Sequence, residues 1–580
     1  MILFSPRRML RPVCCILLTV IGLMLPHPLP AADPQEEFDP NVPLLVINVA
    51  SVERLLGQAV TTFESAGRPE LSEFLGGGLA KVNDLRGLNR RQPLGLLLYL
   101  NGVFPEYVVY APLKNVDDLL KTISSQGSFK TRKIDETRYE IETGDRRLTV
   151  KVEKDYAFIA SSPLILERQF GATMTQALRL SRGYDLAFHL NMKGVAPSTR
   201  DLFLGALRGR AENDLQRRDR ETASAHAVRR AIGKRNIDLV DHLVTQGQEV
   251  TLGWSISEPD RVAGLELTIL AMPDSDFAVD LNEFKGARSY FAGLIDPQNP
   301  LTGSLSWRLS KSARRMFLEI FQALEPRLQA ALADETEPSP VPSLLDSLRA
   351  TTERGHLDAL VQFVGAPPEP FALVGGIRVA ESEKLAEALD RCLAHWQKSP
   401  AFTEVRKNVV VHKGVRLHRL TPAEGSPNRT RLFGSDFHIY LGVSPSAAWI
   451  GLGGEKALRE MQRLLDKVAV PATAPAESLP LQWIVNLSPW MDFLDPERKP
   501  AGLAATARAA FAQGGDQVRL QARPLDGGIQ FRLQLEEGFL RLIGRLVAAR
   551  LDKVLAIPAP EGEAQPAPES PGKKAPDPKP

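Results

Sequence analysis

One short stretch of this chain has an echo about three hundred residues downstream, and it limits what the chain can fold into. Asp185–Met192 reads Asp-Leu-Ala-Phe-His-Leu-Asn-Met, and Leu481–Ser488 reads Leu-Gln-Trp-Ile-Val-Asn-Leu-Ser. Superposed, Leu186 meets Leu481, Phe188 meets Trp483, Leu190 meets Val485 and Asn191 meets Asn486. Apolar residues alternate in both, as they do along a strand with one buried face. Each stretch follows a helical pattern, precedes another, and leads to two further strand patterns. Ala157-Phe158-Ile159-Ala160 likewise matches Ala448-Trp449-Ile450-Gly451, and Gly264-Leu265-Glu266-Leu267 matches Gly528-Ile529-Gln530-Phe531. The expectation is an internal duplication: two divergent copies of an α+β unit, each an antiparallel sheet with helices packed on one face.

Length agrees with more than one core, since 580 residues exceed what a single hydrophobic core usually supports. The first 32 residues read as a secretory signal peptide. Arg7, Arg8 and Arg11 form a basic start, and Val13–Leu25 is apolar apart from Thr19 and Gly22. Pro26–Pro30 breaks the run, and Ala31-Ala32 offers a cleavage site. The run is shorter than the ~20 residues that span a bilayer comfortably, so no membrane span is expected after its removal. Export to the periplasm or the outside follows. Of three cysteines, only Cys392 would remain, so packing and not a disulfide must hold the exported chain together. Its helical context, Leu385, Leu389, Leu393 and Trp396, places it in a core.

Copy one is expected over 33–296 and copy two over 297–557. The Pro/Ala/Glu/Lys tract 558–580 has no aromatics and no periodicity, which predicts a disordered tail. Strands are expected at Leu44–Val49, Leu94–Leu100 and Tyr107–Ala111, then a meander of four to Ala160. The second half is expected to repeat this order from Leu301–Leu309, with Phe371–Val379 answering Tyr107–Leu113. Gly76-Gly77-Gly78, which lack the Lys-Ser/Thr of a phosphate loop, predict a bend within a helix over 70–85.

The copies differ most between the matched strands, where copy one carries extra chain at 207–236. That excursion holds Arg208, Arg210, Arg217, Arg218, Arg220, Arg229, Arg230, Lys234 and Arg235, with Glu212, Asp214, Asp219 and Glu221 interleaved. It predicts a charged helix or helical hairpin, either a solvated face or a docking surface for an anionic envelope component or another exported protein. Aromatics are missing from it, which removes the stacking platform of single-strand nucleic-acid binding. A formal net charge of +2 adds no whole-molecule field toward nucleic acid.

Chemistry finds little purchase. No His-Glu-x-x-His, Gly-x-Ser-x-Gly or Gly-x-Gly-x-x-Gly pattern occurs, and no metal ligand set, cofactor or catalytic residue is assigned. His412 and His418 fall on or beside one hairpin, where they could approach each other, but a third ligand is wanting. Asp117, Asp118, Glu381 and Glu383 open helices, where the dipole explains them.

Gly87-Leu88-Asn89-Arg90-Arg91-Gln92-Pro93-Leu94-Gly95, then Tyr99, then Tyr107–Pro112 with its helix, resembles a pattern in uncharacterised exported bacterial proteins. The resemblance implies a signal peptide and repeated sheet-and-helix units over most of the mature chain, and no functional residues. The leading expectation is a non-catalytic exported envelope protein acting through its surfaces. Two others stand beside it: a hydrolase of envelope polymers, and a carrier of an apolar ligand held between sheet and helices.

Overall fold

The computed structural model describes residues 38–81, 83–125, 129–144, 146–332, 339–423, 425–469, 478–493 and 501–555. The expected signal peptide (1–32) and the tail (558–580) lie outside these.

Helices and antiparallel strands make an α+β protein. The first ten strands are β1 Leu45–Val49, β2 Leu94–Asn101, β3 Phe104–Pro112, β4 Phe129–Lys133, β5 Arg138–Thr143, β6 Arg146–Glu153, β7 Tyr156–Ala160, β8 Leu186–Asn191, β9 Gly247–Ser257 and β10 Val262–Ala271. The next ten are β11 Leu301–Arg308, β12 His356–Val364, β13 Ala372–Arg378, β14 Phe402–His412, β15 Val415–Pro422, β16 His438–Val443, β17 Ala447–Gly453, β18 Leu481–Asn486, β19 Gln517–Leu525 and β20 Gly528–Leu535.

All twenty join in one sheet. Pairings in the first half run β4-β5-β6-β7-β3-β2-β1-β8-β9-β10. In the second they run β14-β15-β16-β17-β13-β12-β11-β18-β19-β20. The second order is the first with ten added to each strand. β10 then pairs antiparallel with β20, from Ala263↔Leu535 to Leu270↔Gly528, and welds the halves edge to edge. Two sheet edges that would otherwise expose unpaired backbone groups thus satisfy each other.

Helix starts follow local chemistry. Ser51 Oγ accepts from Arg54 N at 3.0 Å to open Val52–Ser65, and Asn115 Oδ1 accepts from Asp118 N at 3.0 Å to open Val116–Ser124. Ser310 caps the long helix Lys311–Ala331 in the same way.

The expectation of helices on one face is corrected, because both faces carry them. Val46, Leu97, Tyr99, Val108 and Tyr110 pack with Ala177 and Leu180 of the helix Gly171–Gly183. Val150 and Ala157, of opposite strand phase, pack with Leu119 and Leu120 of Val116–Ser124. β7, apolar on both phases, is buried on both sides, with Phe158 facing one helix and Ala157 the other. In the second half the helix Glu455–Ala469 covers Val374, Tyr440 and Trp449.

Other differences are local. The helix Leu71–Lys81 runs through Gly76-Gly77-Gly78 without the expected bend, and the irregularity falls later, at Asn83, Asp84 and Leu85 with positive φ. β12 escapes a sequence reading because its buried phase holds Asp358 and Gln362 beside Leu360. β14 reaches back to Phe402, and its register against β15 shifts between Arg406 and Val410. The closing helix Glu537–Leu555 is also additional to the reading.

Candidate interaction surfaces

The arginine-bearing excursion is a helical hairpin. Pro197–Asp214 runs out and Ala223–Gln246 returns, with Thr222 Oγ1 accepting from Ala225 N at 3.2 Å to start the second helix. Arg229 closes the turn. Its guanidinium donates to Glu221 at 2.7 and 2.8 Å, to the Asp214 carbonyl at 2.7 Å and to the Gln216 carbonyl at 2.8 Å. These bonds hold the Glu221 carboxyl down at about 2. Arg208 pairs with Asp241 across the hairpin. Arg210, Arg217, Arg218, Arg220, Arg230 and Lys234 are exposed.

Arg235 departs from the picture of an exposed charged face. It is buried, and its Nη1 donates to Ser312 Oγ at 3.0 Å on the second-half helix Lys311–Ala331. Burial lowers it to about 10. Nearby Asp280 is pushed up to about 7 by loss of water, opposed by the charge of Arg235. Arg235 therefore helps lock the hairpin's base to the other half and takes no part in an outward surface.

The histidines do not converge. His412 Nε2 lies 2.8 Å from Asp466 Oδ1, whereas buried His418 accepts at Nδ1 from Asn408 N at 3.4 Å. His189 is held between Gln176 Nε2 at 3.2 Å and Thr251 Oγ1 at 2.9 Å, and burial lowers it to about 4. Cys392 is buried, its thiol raised to about 11, which suits a core residue better than a nucleophile. Among the described residues no group of three or more His, Cys, Asp or Glu is placed to hold a metal.

A surface that the sequence reading missed lies on the sheet. Following the registers, Val109, Leu96, Ile47, Phe188, Leu252 and Leu267 stand side by side across β3, β2, β1, β8, β9 and β10. A parallel row holds Tyr107, Leu98, Leu45, Leu190 and Val250, and another Leu94, Val49, Leu186, Trp254 and Leu265. This face is opposite the one under the helix Gly171–Gly183, because its residues alternate with Val46, Leu97 and Ala187. On β2, β1 and β8 every residue of this phase is only half-buried or exposed, with Phe188 38% exposed. The buried clusters among the described residues do not take in Leu96, Leu98, Leu45, Ile47, Phe188 or Leu190. The result is an apolar trough about 24 Å across six strands at ~4.8 Å spacing. Its signal in the sequence was the shared parity of leucine, isoleucine and phenylalanine along those strands, which means nothing until the register is known. No protein-family model, curated protein or solved structure matches this chain.

Proposed function

We propose that this is an exported, non-catalytic protein of a cell envelope that carries an apolar ligand, such as an acyl chain, on the open face of its first half-sheet. The observation that carries this reading is the continuous half-buried apolar trough centred on Phe188. Apolar area of that extent left partly in water costs about 25 cal/mol per Å2, and a ligand laid on it recovers that energy. Export rests on the basic, apolar and small-residue order of residues 7–32.

We also propose that residues 33–296 and 297–557 are divergent copies of one unit. What supports this is the strand order, repeated with an increment of ten, together with the Phe188/Trp483 echo. A second role, docking of an anionic envelope component or another exported protein, is favoured by the exposed arginines of the hairpin.

Titration with the fluorescent fatty acid cis-parinaric acid tests the carrier. The wild-type chain should bind it saturably, and Phe188→Asp should weaken binding about ten-fold or more, because a carboxylate then meets the acyl chain. Equal binding by Phe188→Asp would refute the reading.

A further inference from the structure

The first described residues meet the fold at one particular end of the sheet. Asp39 N donates to the Lys193 carbonyl at 3.1 Å, and Asn191 N donates to the Leu44 carbonyl at 2.9 Å. The turn between β2 and β3 lies at this end too, since Leu45 pairs with Leu98 on one side and Leu190 on the other. There Thr199 Oγ1, in the first turn of Pro197–Asp214, donates to the Gly102 carbonyl at 3.2 Å.

That bond sets two apolar pairs beside each other. Val103 follows Gly102 in the turn and Phe104 opens β3, 52% and 73% exposed. Leu202 and Phe203, three and four residues after Thr199, share its side of the helix and are 61% and 54% exposed. Large side chains so exposed, and gathered from two elements, mark a surface that meets something apolar. Arg210, two turns beyond Phe203, continues the same side of the helix and is exposed. Asp201 lies two residues from Phe203 and so turns off that side.

We propose that this tip seats in the surface of a lipid bilayer, with Phe104, Leu202 and Phe203 among the acyl chains and Arg210 at anionic headgroups. The bilayer is favoured over a protein partner by what precedes Asp39. Val13–Leu25 is a membrane-partitioning run behind Arg7, Arg8 and Arg11. Thirteen residues lie between Leu25 and Asp39, a reach of at most ~50 Å. The chain therefore delivers this end of the sheet to the membrane that the run enters, and the tip can hold it there after cleavage. Apolar rings with a cationic flank are the composition of an interfacial anchor. The proposal stands on residues other than those of the trough.

The test is hydrogen exchange on the full chain, with and without unilamellar vesicles of phosphatidylcholine containing one quarter phosphatidylglycerol. Exchange over residues 101–107 and 198–206 should slow by about ten-fold or more on vesicles. Phe104→Asp combined with Phe203→Asp should abolish that slowing while keeping the wild-type melting temperature, since both side chains are exposed. Three outcomes overturn the proposal: protein that floats with vesicles while these segments exchange as before, retained by the apolar run alone; protein that does not float; and slowing without vesicles that grows with protein concentration, which would make the tip a contact between copies. None of these alters the parinaric acid result, so failure of the tip and failure of the carrier are told apart.

Discussion

Leu267 of β10 and Phe531 of β20 stand opposite each other across the seam that joins the two half-sheets. Phe531 is buried in a cluster that draws Ile269, Phe277 and Leu281 from the first half and Trp307, Leu481 and Ile529 from the second. One core thus belongs to both halves. Phe531→Ala should cost about 3–5 kcal/mol, the usual range for deleting a buried ring. Chemical denaturation should also show a single transition for the wild-type chain. Two separate transitions would mean that the seam is not part of the cooperative unit.

A pH dependence follows from Asp280. Its carboxyl is raised to about 7 by burial, from an ordinary value near 3.8. Between those values the folded chain holds a proton that the unfolded chain has released. Its contribution to stability is therefore complete below about 4 and is lost as pH rises through about 7. Melting temperatures from pH 4 to 8 should fall with this group's ionisation, and Asp280→Asn should flatten that part of the profile. An unchanged slope in the variant would assign the effect elsewhere.

Arg229 should govern the turn of the hairpin. It ties Glu221, Asp214 and Gln216 together, so Arg229→Ala leaves two carbonyls and a carboxylate to water. Amide exchange over residues 214–222 should rise and limited proteolysis should cut there first, with little change in global melting, because the turn is exposed and remote from the core.

Trp254 reports on the trough. It lies on the open face, paired with Leu186 on β8 and Leu265 on β10. Binding of a saturated fatty acid should shift its emission to the blue, and Trp254→Phe should remove that component while binding persists. A ligand-induced shift that survives in Trp254→Phe would place the ligand beside another tryptophan.

Much of the architecture was legible because strands and helices write their periods locally. Leu186–Asn191 and Leu481–Asn486 announce themselves by alternation. β12 did not, since Asp358 breaks its apolar phase; its carboxylate accepts from Ser289 Oγ at 2.7 Å and Tyr290 N at 2.6 Å, partners distant in the chain. Arg235 was legible as charge and illegible as a buried anchor, because Ser312 and Asp280 reach it only through tertiary packing.

The amino-acid order alone determined the periodic segments, the helix caps, the matched Phe188 and Trp483, and the position of the arginine-rich excursion. Each of these depends on neighbours within a few positions, where side-chain spacing and backbone preference act directly. Folding in three dimensions decided that β10 joins β20, that helices lie on both faces, and that the apolar phases of neighbouring strands align in one trough. Those depend on register between segments far apart in sequence, six strands in the case of the trough. A slip of one residue would turn every side chain of a strand to the opposite face.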